Sequence, residues 1–261
     1  MSQTKLPKIA TKQQEIILLL FKFRFLNRNQ IQKLLDNKSP GAINRLLKDL
    51  TEKEYINSIY SSKYPDSLKP AIYYLANNGI SYLKDPGGYE PTVLKNLYNE
   101  KLRTETFANR CMLLADIFLE LEDKETVKLK YTLYLRCDYP SLPVIKDFLA
   151  DLSPDAYLIR KKSGETKYYF IEILADLPAQ WLRQRIKKYL KLYESSEWEA
   201  ETKRDFPNIL IICPSYRVLD YVLNYTKRQL ATTDEPTLSV NLTTVDKMKE
   251  PGFTGDIWKS A

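Results

Sequence analysis

The sequence has no histidine, three cysteines and no long apolar run. The absence of histidine excludes Ser-His-Asp and Cys-His catalysis, the usual catalytic zinc sites and any imidazole base. Three widely spaced cysteines, an odd number, are typical of reduced thiols rather than of a disulfide framework or a zinc site. If the chain is an enzyme, carboxylates, lysines and a hard metal ion must carry its chemistry.

The longest apolar run spans residues 16–21, far short of the ~20 residues that cross a bilayer. The N-terminus has charges, but it lacks the apolar segment and the small-residue cleavage site that a secretory signal contains. We therefore expect a cytoplasmic protein with no membrane partner. At 261 residues the chain is long enough for one large domain or two modest ones.

The positive charge of the chain is unevenly distributed. The net charge is +7, but residues 1–84 carry 14 Lys and Arg against 6 Asp and Glu, which gives +8. The remainder carries 26 against 27, which gives −1. Charge concentrated on one small region is an electrostatic footprint for a polyanion, so the N-terminal third is predicted to bind nucleic acid.

The pattern of the N-terminal third predicts a winged helix-turn-helix. Ser39 and Pro40 are an N-cap hydroxyl and a proline at the first helical position, which together mark the start of a helix. The predicted elements are helices over residues 12–26, 29–36 and 40–50, extended segments over 55–60 and 71–76, and a short closing helix. In a winged helix the third helix lies in the major groove, so residues 1–85 are predicted to form a DNA-binding domain.

Several side chains of this domain are candidates for contact with double-stranded DNA. Arg45 and Asn44 are candidates for base edges, because Arg suits guanine and Asn suits adenine in bidentate pairs. The predicted phosphate contacts, which position the protein without specifying a sequence, are Ser39, Lys48, Lys63 and Lys69. A winged helix can also dock a protein, but the outer face of this one is not acidic, which favours DNA.

Residues 86–261 are predicted to form a mixed-sheet α/β domain behind a long linking helix. The helix spans about residues 93–121, after a boundary rich in proline and glycine. The predicted strands are 128–136, 155–161, 166–174, 208–213 and 238–245, the predicted helices are 179–195 and 216–231, and residues 139–151 are expected to be irregular.

Two carboxylates of this domain are candidate metal ligands. Asp155 begins one strand and Glu172 lies in the next, and carboxylates on adjacent strands can hold Mg²⁺. This arrangement resembles the PD-(D/E)XK, restriction-endonuclease-like fold, in which an Asp and a Glu bind the metal and a lysine assists hydrolysis. Leu174 stands where that lysine is expected, so a lysine of the following helix (Lys187, Lys188 or Lys191) would have to replace it.

Each carboxylate also has a structural explanation. Asp155 can start a strand through a turn, and Glu172, costly to bury alone, can pair with a lysine of the 179–195 helix. We favour the structural pair, and therefore an inactive nuclease-like domain without a cofactor. The alternative is an active Mg²⁺-dependent endonuclease or nickase with Asp155 and Glu172 as metal ligands and Lys187 or Lys188 as the catalytic lysine.

The whole chain resembles the replication-relaxation family of bacterial plasmids and other mobile elements. The resemblance lies in the order of short motifs: IYYLANNGISYL, LRTETFANRCMLLADIFLEL, SPDAYLIR, YYFIEIL before a Lys/Tyr-rich helix, and GDIWKSA. It implies a DNA-linked role in plasmid replication or its control. We expect a sequence-specific DNA-binding homodimer that acts in replication or transcription control, with replication or transfer proteins as possible partners.

Overall fold

The structure, a computed structural model, describes residues 6–60, 69–84, 89, 91–175, 177–232 and 238–261. The chain divides into two compact units, residues 1–119 and 120–261. This division lies later than the boundary expected at residue 85. The reason is that Ala108 and Cys111, beyond that boundary, pack against Phe25 and Tyr74 of the first unit.

The first unit contains the predicted succession of three helices and a two-stranded ribbon. Its elements are α1 (Thr11–Phe23), β1 (Leu26–Asn27), α2 (Arg28–Leu34), α3 (Pro40–Glu52), β2 (Ile56–Ile59), β3 (Ile72–Leu75) and α4 (Asn77–Lys84). The strands form an antiparallel sheet in the order β1-β3-β2. The pairing of β2 with β3 confirms the predicted ribbon, whereas β1 was not predicted.

Local sequence sets the start and the orientation of α3. The Ser39 hydroxyl accepts a hydrogen bond from the backbone N–H of Ala42 at 3.3 Å, and Pro40 occupies the first helical position. Both features were predicted and are confirmed. Ile43, Leu47 and Leu50 are buried at helical spacing, so the opposite side of α3 faces solvent.

The predicted single helix over residues 93–121 is wrong, because the segment is broken. It consists of α5 (Pro91–Leu94), a 3-10 helix (Lys95–Leu102) and α6 (Glu105–Lys124). Arg103 is extended, and the Thr104 hydroxyl accepts from the backbone N–H of Phe107 at 3.2 Å. This threonine starts a new helix in the manner of an N-cap, although the apolar periodicity continues across the break.

The second unit has a six-stranded mixed sheet, which confirms the predicted fold class. Its elements are β4 (Leu129–Leu135), α7 (Lys146–Leu152), β5 (Ala156–Lys162), β6 (Glu165–Ile173), α8 (Ala179–Ser195), α9 (Glu197–Thr202), β7 (Asn208–Cys213), α10 (Tyr216–Leu230), β8 (Val240–Thr244) and β9 (Lys259–Ser260). The strands lie in chain order, with β6, β7 and β8 mutually parallel and the other pairs antiparallel. The expectation that residues 139–151 are irregular is wrong from residue 146 onwards, where α7 buries Leu149 and Leu152.

The sheet brings the two candidate carboxylates to one edge. Ala156 at the start of β5 pairs with Ile171 near the end of β6, so Asp155 and Glu172 lie close to that end. The parallel strands β7 and β8 end on the same side. Helices α8 and α10 pack over the same apolar cluster, which includes Phe170 and Ile211. In the part of the chain that the structure describes, no helix is long and apolar enough to cross a membrane.

Candidate functional site

The outer face of α3 presents polar and basic side chains to solvent. Asn44, Arg45 and Lys48 are all exposed. Lys48 Nζ lies 3.8 Å from Glu52 Oε1, an exposed pair that holds the lysine only weakly. The structure therefore places three of the predicted DNA-contacting residues together on one helix face.

A shallow groove runs between α3 and α1. Its lining residues are Lys12, Gln13, Asn37, Ala42, Arg45, Leu46 and Asp49. The carboxylate in this groove is balanced, because Asp49 accepts hydrogen bonds from Lys53 at 2.7 Å and Gln13 at 2.6 Å. These hydrogen bonds, first that of Lys53, lower the pKa of Asp49. The charge of Asp49 is thus balanced by Lys53, so Lys12 and Arg45 give the groove a positive charge.

The other predicted phosphate contacts lie at the edges of this surface. Ser39 is exposed at the start of α3, where its hydroxyl caps the helix. Lys69 is exposed on the chain that leads into β3. Lys63 lies outside the described residues. The roles of these side chains in DNA contact stay predictions.

In the second unit Asp155 is buried, with 3% of its surface exposed. Its Oδ2 accepts a hydrogen bond from the backbone N–H of Ile173 at 2.7 Å, which ties β5 to the end of β6. Its Oδ1 accepts from Arg136 Nη2 at 3.1 Å. Asp155 therefore joins two strands and faces an arginine that the sequence did not suggest.

Glu172 is also buried, with 5% of its surface exposed, and its partner comes from α8. Arg185 Nε donates to Glu172 Oε2 at 2.8 Å, and Arg185 Nη2 donates to Oε1. The Tyr189 hydroxyl donates to the same Oε1 at 2.5 Å. The predicted ion pair with this helix is present, but its cation is an arginine rather than a lysine.

Burial dominates the electrostatics of this cluster. It raises the pKa of Glu172, as does the nearby charge of Asp155, while the hydrogen bond from Arg185 acts against this rise. Burial, the largest effect, would lower the pKa of Arg185, but the hydrogen bond with Glu172 and the nearby charges of Glu172, Tyr189 and Asp155 together raise it. Burial and the charge of Glu172 raise the pKa of Tyr189 well above its usual value. The guanidinium thus supplies the compensating charge that a buried carboxylate requires.

The predicted lysines do not share the position of Arg185. Lys187 and Lys188 are exposed, and Lys188 Nζ donates to the backbone carbonyl of Asp151 at 3.2 Å. Arg185 also donates to the carbonyl of Ser153 at 2.9 Å and to that of Leu152. Among the described residues there is no group of three or more His, Cys, Asp or Glu side chains that could hold a metal ion.

Sequence reasoning missed Arg185 and Tyr189 as partners of Glu172. The signal was available in the helix period. Arg185 follows the buried Leu182 by three residues and precedes the buried Tyr189 by four, so it borders the buried face of α8. Lys187 and Lys188 lie further round the helix.

Comparison with known proteins places the chain in a family. The replication-relaxation family model matches residues 18–209, which is most of the sequence and reaches into both units. The chain belongs to the replication-relaxation family. The resemblance seen in the sequence motifs is therefore confirmed. No curated protein matches the chain.

Solved structures give more distant likenesses. ZitR of Lactococcus lactis, a zinc-responsive MarR family member, is 20% identical over 59% of this chain and 80% of its own, with a TM-score of 0.27. Wild-type ZitR in complex with DNA is 21% identical over 59% of this chain and 79% of its own, with a TM-score of 0.24. At such low TM-scores these likenesses support no conclusion about this replication-relaxation protein.

Proposed function

We propose that this protein binds double-stranded DNA in a sequence-specific manner through its first unit. In this proposal it acts in the replication or transcription control of a plasmid or other mobile element. Membership of the replication-relaxation family supports a role in replication. The +8 charge of residues 1–84 supports a polyanionic ligand.

One observation carries this proposal: the solvent face of α3. Asn44 and Arg45 are exposed there, and both can make bidentate contacts with base edges in a major groove. Lys48 follows one turn after Asn44, where an ammonium suits a phosphate. The antiparallel ribbon of β2 and β3 follows α3 directly, which is the arrangement that contacts flanking backbone in a winged helix.

The dependence of duplex affinity on salt tests the proposal. We expect affinity for a target duplex to fall steeply with salt, with each phosphate contact contributing about 0.9 to the logarithmic slope. Lys48→Ala should weaken binding to all duplexes and reduce that slope by about 1. A matched control is Lys227→Ala, which removes an exposed lysine of α10 in the second unit. Little duplex binding at any salt would contradict the proposal and favour a protein-docking role.

We further propose that the second unit has no nuclease activity and needs no cofactor. Glu172 has both oxygens bound by Arg185, and one also by Tyr189. Both oxygens of Asp155 also accept hydrogen bonds from protein donors. A carboxylate whose two oxygens are both bound by a guanidinium does not fit Mg²⁺, because the metal would have to displace that cation or be repelled by it. The guanidinium of Arg185 supplies the charge that a metal would bring.

A nicking assay distinguishes this proposal from the Mg²⁺-dependent endonuclease. Supercoiled plasmid is incubated with the protein and Mg²⁺ or Mn²⁺, alongside Glu172→Gln as a variant of similar size. We expect no metal-dependent nicking by either protein. Nicking by the unaltered protein that Glu172→Gln abolishes would establish the endonuclease with Asp155, Glu172 and a displaced lysine.

The proposed assembly is a cytoplasmic homodimer. Paired half-sites are commonly read by two-fold symmetric proteins, and the second unit would provide dimerisation or contacts with replication or transfer proteins. Sedimentation of the free protein and of its DNA complex tests the assembly. A monomer in both states would contradict it.

A further inference from the structure

An exposed aromatic side chain lies beside two lysines in the second unit. Tyr216 begins α10, directly after the buried strand β7, and 50% of its surface is exposed. The Nζ atoms of Lys247 and Lys259 each lie 5.9 Å from the centroid of its ring. These residues come from three separate segments, so the fold rather than local sequence brings them together.

The two lysines lie at the outer limit of contact with the Tyr216 ring, and half of the surface of Tyr216 stays exposed beside them. The ammonium of Lys22, which packs closely on Phe118 in the first unit, lies 4.4 Å from that ring centroid. A distance of 5.9 Å is near the ~6 Å limit of such contacts. The ring of Tyr216 therefore retains exposed surface on which another planar group can stack.

The charge beside this ring is positive. Neither Lys247 nor Lys259 pairs with a carboxylate within the part of the chain that the structure describes. The neighbouring acid, Asp246, is bound by Lys249 at 2.7 Å. The first turn of α10 has no acidic residue, so the partial positive charge of the helix start adds to that of the lysines.

The topology of the sheet adds a second exposed aromatic residue at the same edge. Strands β6 and β7 are parallel neighbours, so the segments that follow them leave the sheet on one side. Trp181 lies in the first turn of α8 after β6, with 56% of its surface exposed. Tyr216 follows β7 on the same side.

We propose that this edge of the second unit binds single-stranded nucleic acid, with a base stacked on Tyr216 and flanking phosphates held by Lys247 and Lys259. Proteins that bind single strands combine exposed aromatic rings with nearby cations. Any base can stack on such a ring, and the cations contact the phosphates of the backbone. A duplex hides the faces of its bases, so it cannot use the ring. This site is separate from the duplex-binding surface proposed for α3.

Fluorescence anisotropy with a labelled oligothymidylate tests the site on the full-length protein. Tyr216→Ala is expected to weaken binding by about 5- to 150-fold, the range that the loss of one stacked base produces. Tyr216→Phe keeps the ring and should bind like the unaltered protein. Tyr98→Ala is the matched control, because Tyr98 is also 50% exposed but lies in the first unit.

The lysines are tested through the salt dependence of the same binding. Replacing both Lys247 and Lys259 with alanine should reduce the logarithmic salt slope by about 1.4, or about 0.7 for each lost phosphate contact on a single strand. Lys227→Ala, at the far end of α10, should leave the slope unchanged. An unchanged slope in the double variant would overturn the assignment of phosphates to these lysines.

Two results would overturn the site itself: no binding of the oligothymidylate, or binding by Tyr216→Ala within twofold of the unaltered protein.

Arg45→Ala separates this inference from the proposed function. It should lose duplex affinity and keep the affinity for the single strand, and loss of both would place the strand on the first unit instead. Absence of duplex binding by the unaltered protein would contradict the proposed function while leaving this site intact.

Discussion

Replacing Arg185 with methionine should destabilise the second unit strongly. The substitution leaves Glu172 buried without its cation, and it removes the hydrogen bonds to the carbonyls of Leu152 and Ser153. Loss of one partner of a buried ion pair typically costs about 3–5 kcal/mol. Because 21% of the Arg185 side chain is exposed, we expect a loss near the lower end, about 3 kcal/mol.

Urea denaturation followed by tryptophan fluorescence measures this loss. All three tryptophans of the chain, Trp181, Trp198 and Trp258, lie in the second unit, so their fluorescence reports on that unit. Arg183→Met is the matched control, because Arg183 is exposed on the same helix, and it should change the free energy of unfolding by less than about 0.5 kcal/mol.

The double variant Glu172→Gln/Arg185→Met isolates the charge. Glutamine keeps an acceptor for the Tyr189 hydroxyl but carries no charge, so the double variant should recover about 2 of the lost 3 kcal/mol. A double variant that is as unstable as the sum of the single variants would refute the reasoning. So would a loss below about 1 kcal/mol in Arg185→Met alone.

The pH dependence of Arg185→Met has a definite sign. Burial raises the pKa of Glu172 in the folded protein, so protonation of Glu172 favours the folded state. That contribution is fully present below the ordinary glutamate pKa of about 4.3 and is lost as pH rises through the raised value. Arg185 lowers the pKa of Glu172 against burial, so its removal should raise that pKa further. The stability lost in Arg185→Met should therefore be smallest in acid, where Glu172 is protonated in both proteins, and grow towards neutral pH.

Three further changes test the local structure. Ser39→Ala should cost about 1 kcal/mol of stability through the lost N-cap, and Ser39→Gly only a few tenths of a kcal/mol. Denaturation followed by circular dichroism measures both, and equal costs would argue against the cap. Gly79→Ala should cost about 1–3 kcal/mol in the same assay, because its Cβ would lie 2.3 Å from the carbonyl oxygen of Tyr55; an unchanged midpoint would contradict this packing. Burial raises the pKa of Cys213 to about 12, so this thiol should resist a thiol reagent at pH 8 in the folded protein. The half-buried Cys137 should react first, and equal labelling rates would be inconsistent with the buried β7.

The elements that the sequence predicted best are those with local causes. Residues 179–195 and 208–213 were predicted with the bounds that the structure has. The start of α3 was predicted because an N-cap serine and a proline act within one helical turn. The two-residue strand β1 was missed because only its pairing with Tyr73 and Ile72, far along the chain, defines it.

The candidate site was predicted in outline and missed in detail. The cost of burying Glu172 required a partner, and the helix that supplies it was identified correctly. Charge alone could not choose among the cations of α8, because lysines on the exposed side carry the same charge as Arg185. The contact of Arg136 with Asp155 depends on how β4 pairs with β5, and that register is set by the whole sheet.

Selection of bound duplexes from a random pool tests the central claim, that α3 reads a DNA sequence. The unaltered protein should enrich one site, and Arg45→Ala should bind it about 1–3 kcal/mol more weakly and lose preference at one base position. Uniform weakening across sequences would reassign Arg45 to a phosphate. Failure of the unaltered protein to enrich any duplex would contradict the claim.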